Sequence, residues 1–220
     1  MRCTSSGSTP RWPGGTLRPV LEPLTDYLCE VDPGVVHLAR RALDIDDRIK
    51  GTSHAAVAPR WAELPTAEQT ALTAALARLS VRLRALEPLY VQRGGRHRYD
   101  LAAQRLAVAV HAEYMFPAIH GVFDGTGLPA DASARDRLMA DSLHWHRAHL
   151  DDPGARIVPL AHNNHIQKTP AEFDGVLALY PLGHYLATEL CDDYRTMALT
   201  HTAASVPAST PTRRKSPGSW

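Results

Sequence analysis

Through most of this chain apolar residues recur at three- and four-residue steps, and at Ile157 that helical grammar stops. Leu21, Leu24, Tyr27 and Leu28 form a short stripe. A second helix follows Pro33-Gly34, carrying Val35, Val36, Leu38, Ala39 and Leu43. Thr66 and Gln69, directly after Pro65, have the spacing of a capping box. From there Leu72, Ala75, Leu76, Leu79, Leu83 and Leu86 predict a helix of about six turns, ending near Tyr90 before Gly94-Gly95. A further helix is expected over 99–120, a loop over 121–129, and a helix over 133–149 with Ser133 as its N-cap.

Beyond that point the residues change in kind. Ile157, Val158 and Leu160 read as a strand over 156–161 that ends in His162-Asn163-Asn164-His165. A helix over 175–191 and an alternating run over 194–200 complete a strand–helix–strand pattern, which obliges a parallel pairing. The fold class expected is therefore α/β and helix-rich: helical over 17–150, with a βαβ unit over 155–201. Two parallel strands do not make a stable sheet alone, so the chain reads as part of a larger α/β fold. Residues 1–16 and 203–220 are rich in Ser, Thr, Pro and Gly and are expected to be disordered, leaving one domain over 17–202.

Composition excludes several partners. With 24 Lys and Arg against 23 Asp and Glu, a net charge of +1 gives no electrostatic case for nucleic acid. No apolar run approaches the ~20 residues of a membrane span, so no membrane association is expected. Three widely spaced cysteines argue against a disulfide framework and fit a cytoplasmic protein. Unpaired strand edges and exposed helix faces make self-association through those surfaces an expected liability.

Arg135-Asp136-Arg137-Leu138-Met139-Ala140, with Trp145 further along that helix and His162-Asn163-Asn164-His165 after the strand, resembles the erythromycin esterase family. That family carries an Arg-Asp-x-x-Met-Ala helix and a strand closing in His-Asn-x-His. Gly183-His184-Tyr185-Leu186, the 194–200 run and the opening Leu21-Glu22-Pro23-Leu24-Thr25-Asp26-Tyr27-Leu28 are similar to it as well. The resemblance implies a hydrolase of ester or lactone bonds, with macrolide lactones and hence macrolide resistance as one substrate class. It spans the middle portion of the family only. The family's Gly-Glu-x-x-His-Gly segment, whose histidine activates water, has no counterpart here, since the sequence contains no Gly-Glu dipeptide. A truncated enzyme, weakly active or inactive alone, is the expectation that follows.

Two imidazoles at a strand end can orient water, hold a developing oxyanion or ligate a metal. His162 and His165 are accordingly the catalytic candidates, with Arg135, Asn163 and Asn164 as substrate-binding candidates. No cofactor is expected. A divalent metal at His162 and His165 stays open, although zinc would need a third protein ligand. The bland reading of the histidines is a polar turn satisfying backbone groups; that of Asp136 is a carboxylate complementing its helix dipole. His144, His146 and His149 do not share one helix face and read as a solvated helix end. If the functional reading is right, His162, His165 and Arg135 face one cleft, with 194–200 parallel to 156–161. The rival from another class is a non-catalytic interaction module presenting helices 66–90 and 99–120 to a partner.

Overall fold

The computed structural model describes residues 14–152, 154–173 and 176–199. Its first part is a helical array of α1 (Arg18–Val31), α2 (Val36–Ile49), α3 (His54–Glu63), α4 (Thr66–Ala85), α5 (Glu87–Gly94), α6 (Arg96–Asp124) and α7 (Ser133–Ala148). A short hairpin of β1 (Ala171–Phe173) and β2 (Val176–Leu179) follows, then α8 (Leu182–Leu190). The chain is thus helix-rich with a small sheet.

α6 is the axis of the array. It packs against α1, α3, α4, α5 and α7, and buries Tyr99, Ala102, Leu106, Val108, Ala109, Ala112, Met115 and Phe116. By length and composition α6 would suffice to cross a bilayer, but those buried positions identify it as the core helix of the bundle. α4 buries Leu72, Ala75, Leu76, Leu79 and Leu83, the stripe expected from its spacing. The large core closes around Leu21, Leu24, Ile45, Ile49 and Phe116 and reaches Leu138 on α7. A second, small core of Ala140, Leu182, Leu186 and Tyr194 joins α7 to α8.

Several local expectations are corrected. The helix expected over 66–90 is broken at Leu86, because Pro88 in the first turn of α5 has no N–H to continue the ladder. The capping box at Thr66 and Gln69 does not form: Pro65 is the N-cap, and the Gln69 amide donates to the Trp61 and Leu64 carbonyls at 2.8 and 3.3 Å. α3 was not legible in the apolar spacing; Ser53 caps it, accepting from the Ala56 N–H at 3.2 Å. Ser133 is the first residue of α7 rather than its cap, and its hydroxyl accepts from the Tyr180 N–H at 2.8 Å. The folded part also begins before residue 17. Gly15 accepts from the Gly51 N–H at 2.7 Å, and the Thr16 hydroxyl donates to Asp46 at 2.6 Å. Residues 1–13 and 200–220, on which the expected terminal disorder falls, lie outside the described residues.

The largest correction concerns the sheet. Among the described residues 156–161 and 194–199 are not strands, and the expected parallel βαβ unit is absent. The sheet present is an antiparallel hairpin, pairing Ala171 with Leu179 and Glu172 with Leu177. The helix expected over 175–191 begins only at Leu182, because 176–179 is strand. The physical reason is partnership. A β-rich run becomes a strand only when another strand accepts its ladder, and no described segment lies alongside 156–161 in that way.

Candidate functional site

The site grows from the meeting of three chain segments. Asp136, in the first turn of α7, is buried, with 2% of its surface exposed. Its Oδ1 accepts from the Leu182 N–H at 2.8 Å, at the first residue of α8, and contacts His165 Nδ1 at 2.7 Å. The carboxylate therefore sits at the N-terminal ends of two helices, where both dipoles favour negative charge. Gly183 makes the approach of α8 feasible: a Cβ there would lie 2.4 Å from the Ile166 carbonyl oxygen and 2.5 Å from that of Gln167.

His162 and His165 flank a single 3₁₀ turn, Asn163–His165, with His162 as its N-cap. The His162 Nδ1 accepts from the Asn164 backbone N–H at 3.2 Å. A neutral ring that accepts at Nδ1 carries its proton on Nε2, so His162 presents a donor. At His165 the arrangement is reversed. An ionised Asp136 can only accept, so a neutral His165 ring donates from Nδ1 and leaves a lone pair on Nε2. The turn thus holds two imidazoles of opposite character three residues apart, His162 exposed and His165 half-buried.

The remaining candidates are placed less centrally. Arg135 is exposed at the start of α7, and its charge acts on His54 of α3: burial and then Arg135 hold that imidazole below its ordinary pKa. No described contact joins Arg135 to His162 or His165. The Asn163 amide donates to the Leu199 carbonyl at 2.9 Å, tying the turn to the chain after α8. Asn164 is exposed and contributes its backbone N–H to the turn. Among the described residues no three His, Cys, Asp or Glu side chains are grouped as metal ligands.

The surroundings lock α8 to α7. Arg137 pairs with Asp141 and with Glu189, both at 2.6 Å, and stacks 5.1 Å from the centre of the Tyr185 ring. His144 reaches the other Glu189 oxygen at 2.5 Å. Burial alone would raise the Glu189 pKa, but Arg137 and His144 outweigh it and hold the carboxyl below its ordinary value. Of the histidine cluster on α7, His149 stacks on Trp145 at 4.1 Å, a helix-end arrangement in keeping with the bland reading. In the sequence Asp136 reads as a carboxylate complementing its helix dipole. The signal beyond that is the Arg-Asp pair placed within reach of both Leu182 and His165, which is visible only once α8 folds back.

A helical array carrying a buried aspartate beneath a His-x-x-His turn defines the class: a helix-rich domain with a polar His–Asp centre at the junction of its two cores. The family profile described as erythromycin esterase matches residues 14–219. This chain belongs to the erythromycin esterase family. It is 34% identical over 200 residues to erythromycin esterase type II of Escherichia coli, covering 88% of this chain and 47% of that protein. Against erythromycin esterase type I of the same organism it is 33% identical over 185 residues, covering 82% of this chain and 44% of the relative. A solved structure of an EreC erythromycin esterase mutant in its open conformation superposes with a TM-score of 0.76 at 30% identity, covering 82% of this chain and 44% of that one. The chain therefore spans about half the length of the relatives it matches.

Proposed function

We propose that this chain supplies the His162 and His165 side of a site that adds water to ester or lactone bonds. The observation that carries the reading is the His165–Asp136 pair at 2.7 Å, beside a His162 ring of opposite tautomer. In this reading the His165 Nε2 lone pair orients the attacking water and takes its proton as the water oxygen bonds to the carbonyl carbon. Asp136 stabilises the imidazolium that results. The His162 Nε2–H donates to the carbonyl oxygen as it becomes an oxyanion. Collapse of the tetrahedral centre expels the alcohol, which recovers a proton from His165. Asn164 and Arg135, both exposed, would hold the polar substituents of the substrate, and Asn163 would fix the turn.

Membership of the family supports hydrolase chemistry on a small-molecule ester. Macrolide lactones are one substrate class this extends to, since the relatives are named for erythromycin. Alone, the chain is expected to turn over slowly, about 10²–10⁴-fold below an enzyme with a full set of acid–base groups. The test is hydrolysis of an activated aryl ester and of a macrolide lactone by the purified chain. Slow release above buffer that disappears in His165→Ala supports the proposal. A rate above buffer that His165→Ala leaves intact overturns it.

A further inference from the structure

α1 and α6 pack side by side, and between them lies a cleft of about 240 Å³ lined by Pro23, Asp26, Tyr27, Arg98, Leu101 and Arg105. Helical spacing puts the six there: Pro23, Asp26 and Tyr27 share one face of α1, and Arg98, Leu101 and Arg105 share one face of α6. The floor is apolar. Tyr27 is buried and its hydroxyl donates to the Tyr90 carbonyl at 3.2 Å, so it offers the cleft its ring; Pro23 and Leu101 are half-buried. Arg98 is already engaged, pairing with Glu30 at 2.8 Å and lying 5.5 Å from the centre of the Tyr27 ring. Two charges of the cleft are not. Among the described residues the half-buried Arg105 guanidinium has no acidic partner, the exposed Asp26 carboxylate has no basic one, and the two do not pair with each other. Burial lowers the Arg105 pKa with no carboxylate acting against it. An arginine stays charged at physiological pH, so only an anion can offset that desolvation.

We infer that this cleft is a binding site for a small zwitterion, a free α-amino acid with an apolar side chain. Its carboxylate would take the Arg105 fork in a bidentate pair. Its ammonium would meet Asp26, and its side chain would lie on Leu101, Pro23 and the Tyr27 ring. The cleft is smaller than the roughly 300–1,000 Å³ of sites for drug-sized ligands, which suits so small a molecule. A plain anion would set its charge in a cleft that also holds Asp26, and a plain cation would leave Arg105 without a partner. The inference stands apart from the ester-hydrolase reading, since no described hydrogen bond or ion pair joins these six residues to Asp136, His162 or His165.

The test uses the 220-residue chain and three probes that share one apolar frame: L-leucine, 4-methylpentanoate, which lacks the ammonium, and 3-methylbutylamine, which lacks the carboxylate. Side-chain NMR of the Arg105 Nε–H, the Tyr27 ring and the Leu101 methyl groups gives an affinity for each probe. Leucine should shift all three sets of signals saturably. It should bind about 3-fold more tightly than 4-methylpentanoate and about 10-fold more tightly than the amine. Arg105→Leu should weaken leucine binding about 10-fold or more and Asp26→Asn about 3-fold, with circular dichroism unchanged in both. The analogue series requires no variant, so a variant that fails to fold leaves the test intact. No saturable shift with leucine, 4-methylpentanoate binding as tightly as leucine, or leucine binding indifferent to Arg105→Leu would each overturn the inference.

Discussion

His165 Nδ1 lies 2.7 Å from Asp136 Oδ1, and the same oxygen accepts the first N–H of α8. One buried carboxylate therefore sets the orientation of an imidazole and the position of a helix. Asp136→Asn keeps a carbonyl oxygen for both Leu182 and His165 but removes the negative charge that would stabilise the imidazolium. Hydrolysis in this variant should fall by about 10²–10⁴-fold, as for other carboxylates that fix an imidazole tautomer, with a Tm change of only a few degrees. Asp136→Ala should lose stability as well, by about 1–3 kcal/mol, because the Leu182 N–H is left buried and unpaired. Kinetics and thermal denaturation measured on both variants separate the two roles. Equal rates in wild type and Asp136→Asn would show that the pair is structural only.

Gly183 is the second point at which the site is sensitive. Its missing side chain lets α8 rest on the carbonyls of Ile166 and Gln167. Gly183→Ala places a methyl group against rigid backbone, so α8 or the histidine turn must shift. A destabilisation of about 1–3 kcal/mol is expected, although alanine is the better helix former. A rise in Tm, as for an unconstrained helical glycine, would show that the close approach does not exist in solution.

Away from the site, Asp32 links three elements: its Oδ2 accepts from Arg82 Nε and from the Tyr90 hydroxyl, both at 2.7 Å. Burial opposes the charged form, yet these two hydrogen bonds hold the Asp32 carboxyl below its ordinary value. Burial, helped by Asp32, pushes the Tyr90 hydroxyl up to about 12. A lowered carboxyl pKa contributes stability above the unfolded value, and that contribution is lost as pH falls through the folded one. Asp32→Asn should therefore cost about 1–3 kcal/mol at neutral pH and progressively less below about pH 4. Urea denaturation at pH 7 and pH 3.5 checks this; a cost independent of pH would contradict it.

Glu113 behaves in the opposite sense. It is buried on α6 with the Thr73 hydroxyl donating to it at 2.5 Å, and burial raises its pKa despite that bond. A raised carboxyl pKa destabilises the fold once pH passes from the unfolded value up through the folded one. Glu113→Gln should raise Tm by about 2–4 °C at neutral pH, and the gain should vanish below about pH 4, where both states are protonated. A loss of stability at pH 7 would mean that the charge itself is required.

The helical array was legible because its cause is local: Leu72, Ala75, Leu76, Leu79 and Leu83 fall on one face by spacing alone, and all are buried. The break at Pro88 follows an equally local rule, overridden in the reading by the continuing leucine stripe. The 156–161 and 194–200 runs misled for a different reason. Their β-branched and alternating residues state what they would do beside a strand, and strand pairing is a property of two segments. The hairpin Ala171–Phe173 and Val176–Leu179 was missed although Asp174-Gly175 between its strands is a turn dipeptide. At the site, His162 and His165 were found because a strand-end His-x-x-His stands out in sequence. Asp136's part was not, since 29 residues separate it from His165.

In the proposed site Asp136 holds His165 at Nδ1 and leaves the Nε2 lone pair for the attacking water, and histidine ring ¹⁵N NMR reads that tautomer directly. In the wild-type chain the neutral His165 ring should be the Nδ1–H tautomer, and the neutral His162 ring the Nε2–H tautomer. Adding an aryl phosphonate that mimics the tetrahedral ester centre should shift the Nε2 resonances of both rings, and Asp136→Asn should redistribute the His165 tautomers. A wild-type His165 protonated on Nε2, or ring resonances that the phosphonate leaves unmoved, would contradict the account.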